Sequence, residues 1–175
     1  KYILTGSHQF NLIEAINQSL AGRTDMLVLY PLCFAETKQL KQVVELDQWI
    51  LNGFYPRIYA EKISPSRNSK NYIKTYVERD VRNIRNVVNL VDFQRFMQLD
   101  AGRVGQIFNA QSVANDIGVD IKTVQGWLSI LEQSYIIYRL QPFYNNFGKR
   151  VIKSPKVYFY DTGLLSYLLG INNVD

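Results

Sequence analysis

The sequence contains a single cysteine, Cys33, and a single histidine, His8. One cysteine cannot close a disulfide within the chain, and one Cys with one His is too few for a zinc site of these ligands. No uncharged apolar run reaches the roughly 18 residues that a membrane-spanning helix requires, and the sequence does not open with a signal-peptide pattern. We therefore expect a protein of the reducing cytoplasm that has no membrane partner.

The composition is that of a folded globular chain. Of its 175 residues, 47% are hydrophobic and 20% are charged, which is typical of a protein with a buried core and not of a disordered one. The length allows one ordinary domain or two small ones. Because the chain begins at Lys1 and opens directly into a strand-like run, we expect it to be a piece of a longer protein.

The net charge of +5 is concentrated in two segments. Residues 62–85 contain seven basic and two acidic residues, and residues 139–156 contain five basic residues and no acid, whereas residues 1–60 are balanced. Local basic segments on a neutral background favour a nucleic-acid partner. The alternative is that each segment is an ordinary solvated face.

Hydrophobic patterning predicts an α/β beginning followed by helices. Residues 2–4 and 26–30 are short apolar runs typical of buried strands, with a helix between them that ends near Gly22. Residues 34–60 are predicted to be helical with a turn at residues 53–56, and residues 63–69 are predicted to be a loop. A further helix is expected to carry an apolar stripe from Ile73 to Val88.

Residues 109–153 have the pattern of a helix-turn-helix followed by a hairpin. A short helix at residues 109–117 ends at Gly118, and Asp120 is a suitable N-cap for the next helix. Two helices joined by a three- to four-residue turn with a glycine are typical of the DNA-binding motif. A strand at residues 135–140, a turn at 145–148 and a return strand at 150–153 complete a predicted winged helix.

If the helix that starts after Asp120 enters a major groove, its early exposed residues would contact base edges. Basic residues of the hairpin would then contact phosphates without reading the sequence. The predicted DNA-binding residues are Lys122, Thr123, Gln125, Lys149, Arg150 and Lys153. The alternative is that the winged helix docks on protein. The aromatic residues Tyr138, Phe143, Tyr144 and Phe147 are expected to pack in the core and wing, with stacking on bases as the alternative.

Six blocks occur in a set order: YILTGS (2–7), SLAGR (19–23), YPL (30–32), NGFYP (52–56), YVERD (76–80) and KSPKVYFYDTGLL (153–165). Together they resemble the predicted AAA-type P-loop ATPases of bacteria and archaea that carry a C-terminal domain of unknown function. This resemblance implies that residues 2–7 are the sensor strand, with Ser7 near the nucleotide γ-phosphate. It implies in addition that Arg23 senses phosphate charge.

The chain departs from that family at its chemistry. The phosphate-binding loop GxxxxGK[ST] and the acidic strand that follows it in such ATPases are absent. The C-terminal part of that family is similar to nuclease-like domains, whose metal site needs two carboxylates. Asp161 alone cannot supply both. The resemblance therefore implies ATP and Mg²⁺ for an intact parent protein, no cofactor in this piece, and no activity of the piece alone.

The predicted fold class is α+β and mainly α-helical: a short remnant of a P-loop ATPase sheet, a helical region and a winged helix-turn-helix. The predicted boundaries are 1–45 for the remnant, 46–103 for the helical region, 104–156 for the winged helix and 157–175 for the start of a truncated C-terminal domain. The predicted function is DNA contact by a fragment of such an ATPase. The alternative is a non-catalytic module for protein interaction, which would bind the missing ATPase portion or self-associate.

Overall fold

A computed structural model describes residues 3, 23, 25, 27–40, 45–76, 81, 89–145 and 153–174. The chain divides into two compact units, residues 1–30 and residues 31–175. The regular elements of the described residues all belong to the second unit. They are α1 (Phe34–Gln39), α2 (Leu46–Asn52), α3 (Pro56–Glu61), α4 (Pro65–Thr75), α5 (Leu90–Gly102), α6 (Ala110–Ile117), α7 (Ile121–Gln133), β1 (Ile137–Leu140), β2 (Lys156–Phe159) and α8 (Thr162–Leu168).

The described part of the chain is α+β and mainly helical, so the predicted fold class is confirmed at this level. Its sheet has two strands, β1 and β2, which pair antiparallel with Ile137 opposite Phe159 and Leu140 opposite Lys156. An isolated antiparallel bridge joins Ile107 to Lys156 on the other edge of β2. Within the residues described, none of the helices combines the length and apolarity that crossing a bilayer requires.

The main core lies where α5, α6 and α7 meet. The ring of Trp127 in α7 contacts two rings of α5, with centroid distances of 5.7 Å to Phe93 and 5.6 Å to Phe96. The small Ala114 of α6 is fully buried, as the close approach of α6 to its neighbours requires. Because these side chains occupy one stripe of each helix, the opposite face of α7 is directed to solvent.

A second cluster surrounds Trp49 of α2, which contacts the rings of Phe34, Phe54 and Tyr59. The hydroxyl of Tyr59 donates to the carbonyl oxygen of Gly53 at 2.6 Å. These contacts fix the turn between α2 and α3, which was predicted at residues 53–56 and is present there.

The buried carboxylate of Asp161 joins that turn to the start of α8. Its oxygens accept the backbone N–H of Phe54 at 2.5 Å and that of Leu164 at 2.6 Å. Burial raises the pKa of Asp161, and the N–H groups that point at the carboxylate act in the opposite direction. Two glycines make this approach possible: a Cβ on Gly53 would lie 2.7 Å from both carboxylate oxygens, and a Cβ on Gly163 would lie 2.6 Å from the carbonyl oxygen of Asn52.

Three expectations about elements are corrected. Residues 27–30 form no strand, and the side chains of Leu27 and Leu29 are 92% and 96% exposed. A buried strand covers its apolar side chains, which is not the case for Leu27 and Leu29. The loop predicted at residues 63–69 is wrong, because α4 begins at Pro65 with Ser64 as its N-cap; the Ser64 hydroxyl accepts the N–H of Arg67 at 3.2 Å.

The return strand predicted at residues 150–153 is the third correction. Residues 150–152 lie outside the described residues, Lys153 is in a bend, and the strand that pairs with β1 is Lys156–Phe159. Val157 and Phe159 are buried and fill the core side of β2, which fixes this register. The strand predicted at residues 2–4 and the helical stripe beyond residue 81 fall largely outside the described residues, and the predicted domain boundaries stay predictions.

We expect Gly163→Ala to lower the free energy of unfolding by about 1–3 kcal/mol, because the new Cβ would meet a backbone carbonyl that cannot move aside. The matched control is Gly126→Ala in α7, where a Cβ would have no neighbour within 4 Å. That change should raise the free energy of unfolding by about 0.5–1 kcal/mol, since alanine favours a helix interior over glycine. Urea unfolding measures both, and changes of the same sign would contradict the packing argument.

Candidate nucleic-acid interface

Helices α6 and α7 are joined by a tight turn whose two ends are fixed by local hydrogen bonds. The side chain of Asn109 accepts the N–H of Ser112 at 3.1 Å and starts α6. Gly118 ends α6 in the left-handed conformation, with φ +85°, and its N–H donates to the carbonyl of Ala114 at 2.9 Å. Asp120 starts α7 by accepting the N–H of Thr123 at 2.8 Å. The helix pair predicted from the sequence is therefore present, with both predicted caps.

The first turns of α7 present two of the predicted DNA-binding side chains to solvent. Lys122 and Gln125 are exposed, whereas Thr123 is half-buried and its hydroxyl donates to the carboxylate of Asp120 at 2.8 Å. The hydroxyl of Thr123 is therefore already engaged by the N-cap residue of α7. Gly126 lies beside Gln125, and no atom within 4 Å would contact a Cβ there. This face of α7 is mainly polar and includes the 37% exposed Ile121.

The acidic side chains of this region are already engaged. Asp116 forms an ion pair with Arg103, and Glu132 forms one with Arg139. The backbone and side-chain hydrogen bonds from Thr123 lower the pKa of Asp120, whose negative charge sits at the N-terminus of α7. These three are the only acids among residues 104–156. Among the residues that the structure describes, Lys122 on α7 and the lysines near β2 form no ion pair.

The predicted basic hairpin residues are described only in part. Lys149 and Arg150 lie outside the described residues, and Lys153 is exposed just before β2. Lys156, which the sequence argument did not select, is exposed on β2 itself. The absence of any acid between residues 133 and 160 is the signal that would have found it.

The aromatic residues of the hairpin are more exposed than the sequence predicted. Phe143 is 82% exposed, and Tyr138 and Tyr144 are 37% and 38% exposed. The ring of Tyr138 stacks on that of Tyr158 across the sheet, with centroids 5.5 Å apart. Phe143 therefore lies outside the core, Phe147 lies outside the described residues, and the packing of these rings in the wing stays a prediction.

Of the two residues with an expected role in nucleotide sensing, the structure describes only Arg23. Ser7 lies outside the described residues, and Arg23 is exposed in a bend of the first unit. Both residues fall within the first unit, residues 1–30, and their expected role stays a prediction.

Asp100 of α5 is a buried carboxylate that the sequence argument missed. It is 1% exposed, and among the described residues neither of its oxygens has a hydrogen-bond partner. Burial raises the pKa of Asp100 to about 7, and the nearby charge of Arg103 acts in the opposite direction. The carboxyl is therefore neutral in mildly acidic solution and begins to ionise near neutral pH.

Residues 43–175 match the model of a protein family described as Domain of unknown function (DUF8612). Uncharacterized proteins of Mycobacterium tuberculosis and Mycobacterium bovis are each 29% identical to the chain over 174 residues, which is 99% of the chain and 39% of their own length. An uncharacterized protein of Haemophilus influenzae is 22% identical over 183 residues, which is 96% of the chain and 46% of its length. The chain thus spans less than half the length of these curated relatives. No solved structure matches it.

The resemblance to AAA-type P-loop ATPases is wrong. The family that matches most of the chain is a domain of unknown function, and the relatives are described only as uncharacterized proteins. These matches identify no ATPase, so the roles inferred for Ser7 and Arg23 have lost their support from a family. Binding of ATP and Mg²⁺ by a longer parent stays a prediction that the described residues do not test.

Asp100 makes stability depend on pH. Its ordinary pKa is 3.8 and its pKa in the folded protein is about 7, so the folded state binds this proton more tightly than the unfolded state. The protonated carboxyl of Asp100 contributes its full stabilisation below about pH 4. As the pH rises to 7, this stabilisation is lost, and the free energy of unfolding falls by up to about 1.4 kcal/mol per pH unit. The side chain of Asp100→Asn cannot ionise. We therefore expect the free energy of unfolding of this variant to fall by about 2 kcal/mol less than that of the wild type between pH 5 and pH 8.

Urea unfolding at the two pH values measures this difference. The control is Asp47→Asn at an exposed position of α2, which should keep the pH dependence of the wild type. An equal loss of stability in the wild type and in Asp100→Asn would show that the carboxyl does not titrate in this range.

Proposed function

We propose that this chain, which belongs to the family described as Domain of unknown function (DUF8612), binds double-stranded DNA through α7 and the β1–β2 hairpin. The proposal starts from the pair α6 and α7, which are separated by a three-residue turn containing Gly118. In the helix-turn-helix motif the second helix lies in the major groove, with its N-terminal residues toward the bases. In this chain that second helix is α7.

The order of elements around this pair supports a winged helix. Helix α5 precedes an extended segment at Ile107, which bridges to Lys156, and then follow α6, α7, β1 and β2. Three helices against a small antiparallel sheet, with the long β1–β2 connection as the wing, is the arrangement of winged helix-turn-helix modules. Residues 141–155 form this connection and contain Lys149, Arg150 and Lys153.

The observation that carries the proposal is the distribution of charge. Asp116 and Glu132 are held in ion pairs and Asp120 caps α7, whereas Lys122, Lys153 and Lys156 are exposed and have no ion pair among the described residues. Exposed lysines of this kind bind phosphates without reading sequence. Gln125, exposed on the early α7 face with Lys122, is suited to hydrogen bonds with base edges. We therefore infer weak binding that tolerates different sequences and falls steeply with salt.

The test is the charge reversal Lys122→Glu with Lys153→Glu, measured by fluorescence anisotropy with a labelled duplex of random sequence. We expect the wild type to bind at low salt, and each lost phosphate contact to make the negative slope of log K against log salt shallower by about 0.9. The double variant should therefore bind at least ten times more weakly, and its slope should be shallower by about 2.

The control is Lys38→Glu with Arg95→Glu, which changes the net charge equally at exposed positions of α1 and α5. It should leave the affinity within a few-fold of the wild type. Equal losses in both double variants would indicate a general charge effect and contradict an interface on α7.

A second candidate is a protein-interaction module, which the exposed apolar residues of the hairpin favour. Leu140 and Phe143 are 52% and 82% exposed, close to one another in sequence where β1 ends. Exposed apolar surface of this kind marks contact sites with other proteins. On this proposal the chain self-associates, and duplex DNA has no effect on its state.

Sedimentation velocity with and without a duplex separates the two candidates. If the chain contacts protein, Phe143→Ser should shift the sedimenting species toward the monomer. If it contacts DNA, the wild type should sediment as a monomer alone and as a larger complex with the duplex, and Phe143→Ser should not change its oligomeric state.

A further inference from the structure

Helix α4 presents three basic side chains on a single face, at a distance in sequence from the helix-turn-helix. Arg67, Lys70 and Lys74 are exposed and are spaced three and four residues apart. Residues at these spacings are neighbours on a helix surface. With a rise of 1.5 Å per residue, the three charges form a row about 10 Å long.

The opposite face of α4 is fixed against the fold. Asn68, Ser69 and Ile73 are buried, and α4 packs on α2, α3 and α8. The row of charges is therefore held outward by packing and does not depend on a mobile segment.

Within the part of the chain that the structure describes, this row has no acidic partner. Residues 62–76 contain no Asp or Glu, and among the described residues Arg67, Lys70 and Lys74 form no ion pair. By contrast, Arg57 of α3 and Arg95 of α5 are each paired with an acid of their own helix. Lys62, exposed just before α4, adds a fourth charge nearby.

The arrangement works against the stability of α4. Arg67 is the third residue of the helix, where a cation opposes the helix dipole and where a glutamate would complete a capping box with Ser64. Lys70 and Lys74 are a like-charged pair at i,i+4. Charges placed against the preference of their own helix indicate that this face serves binding.

We propose that the Arg67–Lys70–Lys74 face binds the phosphates of the same DNA duplex as a second contact, an inference that rests on the proposed function. A polyanion matches a row of unpaired cations. A membrane surface fits less well, because a helix that lies on lipid needs exposed apolar side chains, and Ile73 of α4 is buried whereas Tyr72 is half-buried. Thus α4 extends the footprint beyond α7 and the hairpin.

The test is Arg67→Glu with Lys70→Glu, a variant in which stability and binding should move in opposite directions. The first substitution places a carboxylate where it completes the capping box with Ser64, and the second places one where it pairs with Lys74. The thermal midpoint should therefore equal or exceed that of the wild type. The affinity of the variant for the duplex should fall at least ten-fold, and its negative slope of log K against log salt should become shallower by about 2. The control of equal charge is again Lys38→Glu with Arg95→Glu.

The same anisotropy experiment includes Lys122→Glu with Lys153→Glu and separates the two hypotheses. Loss of affinity in the α7 variant with none in the α4 variant overturns this inference and leaves the proposed function standing. Loss in the α4 variant alone supports the α4 face and overturns the interface on α7. No binding of the wild type overturns both. Binding to vesicles of anionic lipid, abolished in the α4 variant and without any binding to DNA, also overturns both and assigns α4 to a membrane surface.

Discussion

The carboxylate of Asp161 connects two segments that are 107 residues apart in the chain. It accepts one N–H from the turn after α2 and one from the first turn of α8. The two segments come this close because Gly53 and Gly163 have no Cβ, which would clash at either position. Because a buried N–H without an acceptor is costly, these two hydrogen bonds decide how α8 meets α2. Helix α8 in turn packs on α4 and α5, so the orientation of both helices depends on this contact.

The outward faces of α4 and α7 follow from that packing. Trp127 locks α7 onto Phe93 and Phe96 of α5, which leaves Lys122 and Gln125 on the solvent side. Ile73 and its buried neighbours anchor α4 in the same way and leave its lysines outward. Arg103 and Arg139 are neutralised by ion pairs with acidic side chains. The basic surface is therefore smaller than the number of basic residues indicates.

Several elements were accessible from the sequence because their signals are local. Asn109, Gly118 and Asp120 place the ends of α6 and α7 through interactions within four residues, and the turn after α2 was marked by Gly53. Ser64 and Pro65 carried an equally local signal for the start of α4, yet the surrounding polar residues favoured a loop. Exposure of the candidate site was predictable only in part, since periodicity identified Lys122 but not the engagement of Thr123 by Asp120.

By itself the sequence determined the helical class, the ends of helices α6 and α7 and the two basic segments, because caps, periodicity and charge are properties of residues close together in the chain. Only the tertiary structure decided that β2 begins at Lys156, that Asp161 holds Phe54, and which arginines are paired. Each of those depends on contacts between residues distant in sequence. Such contacts are selected by the packing of the whole unit, and no local pattern specifies which partner fills a given space.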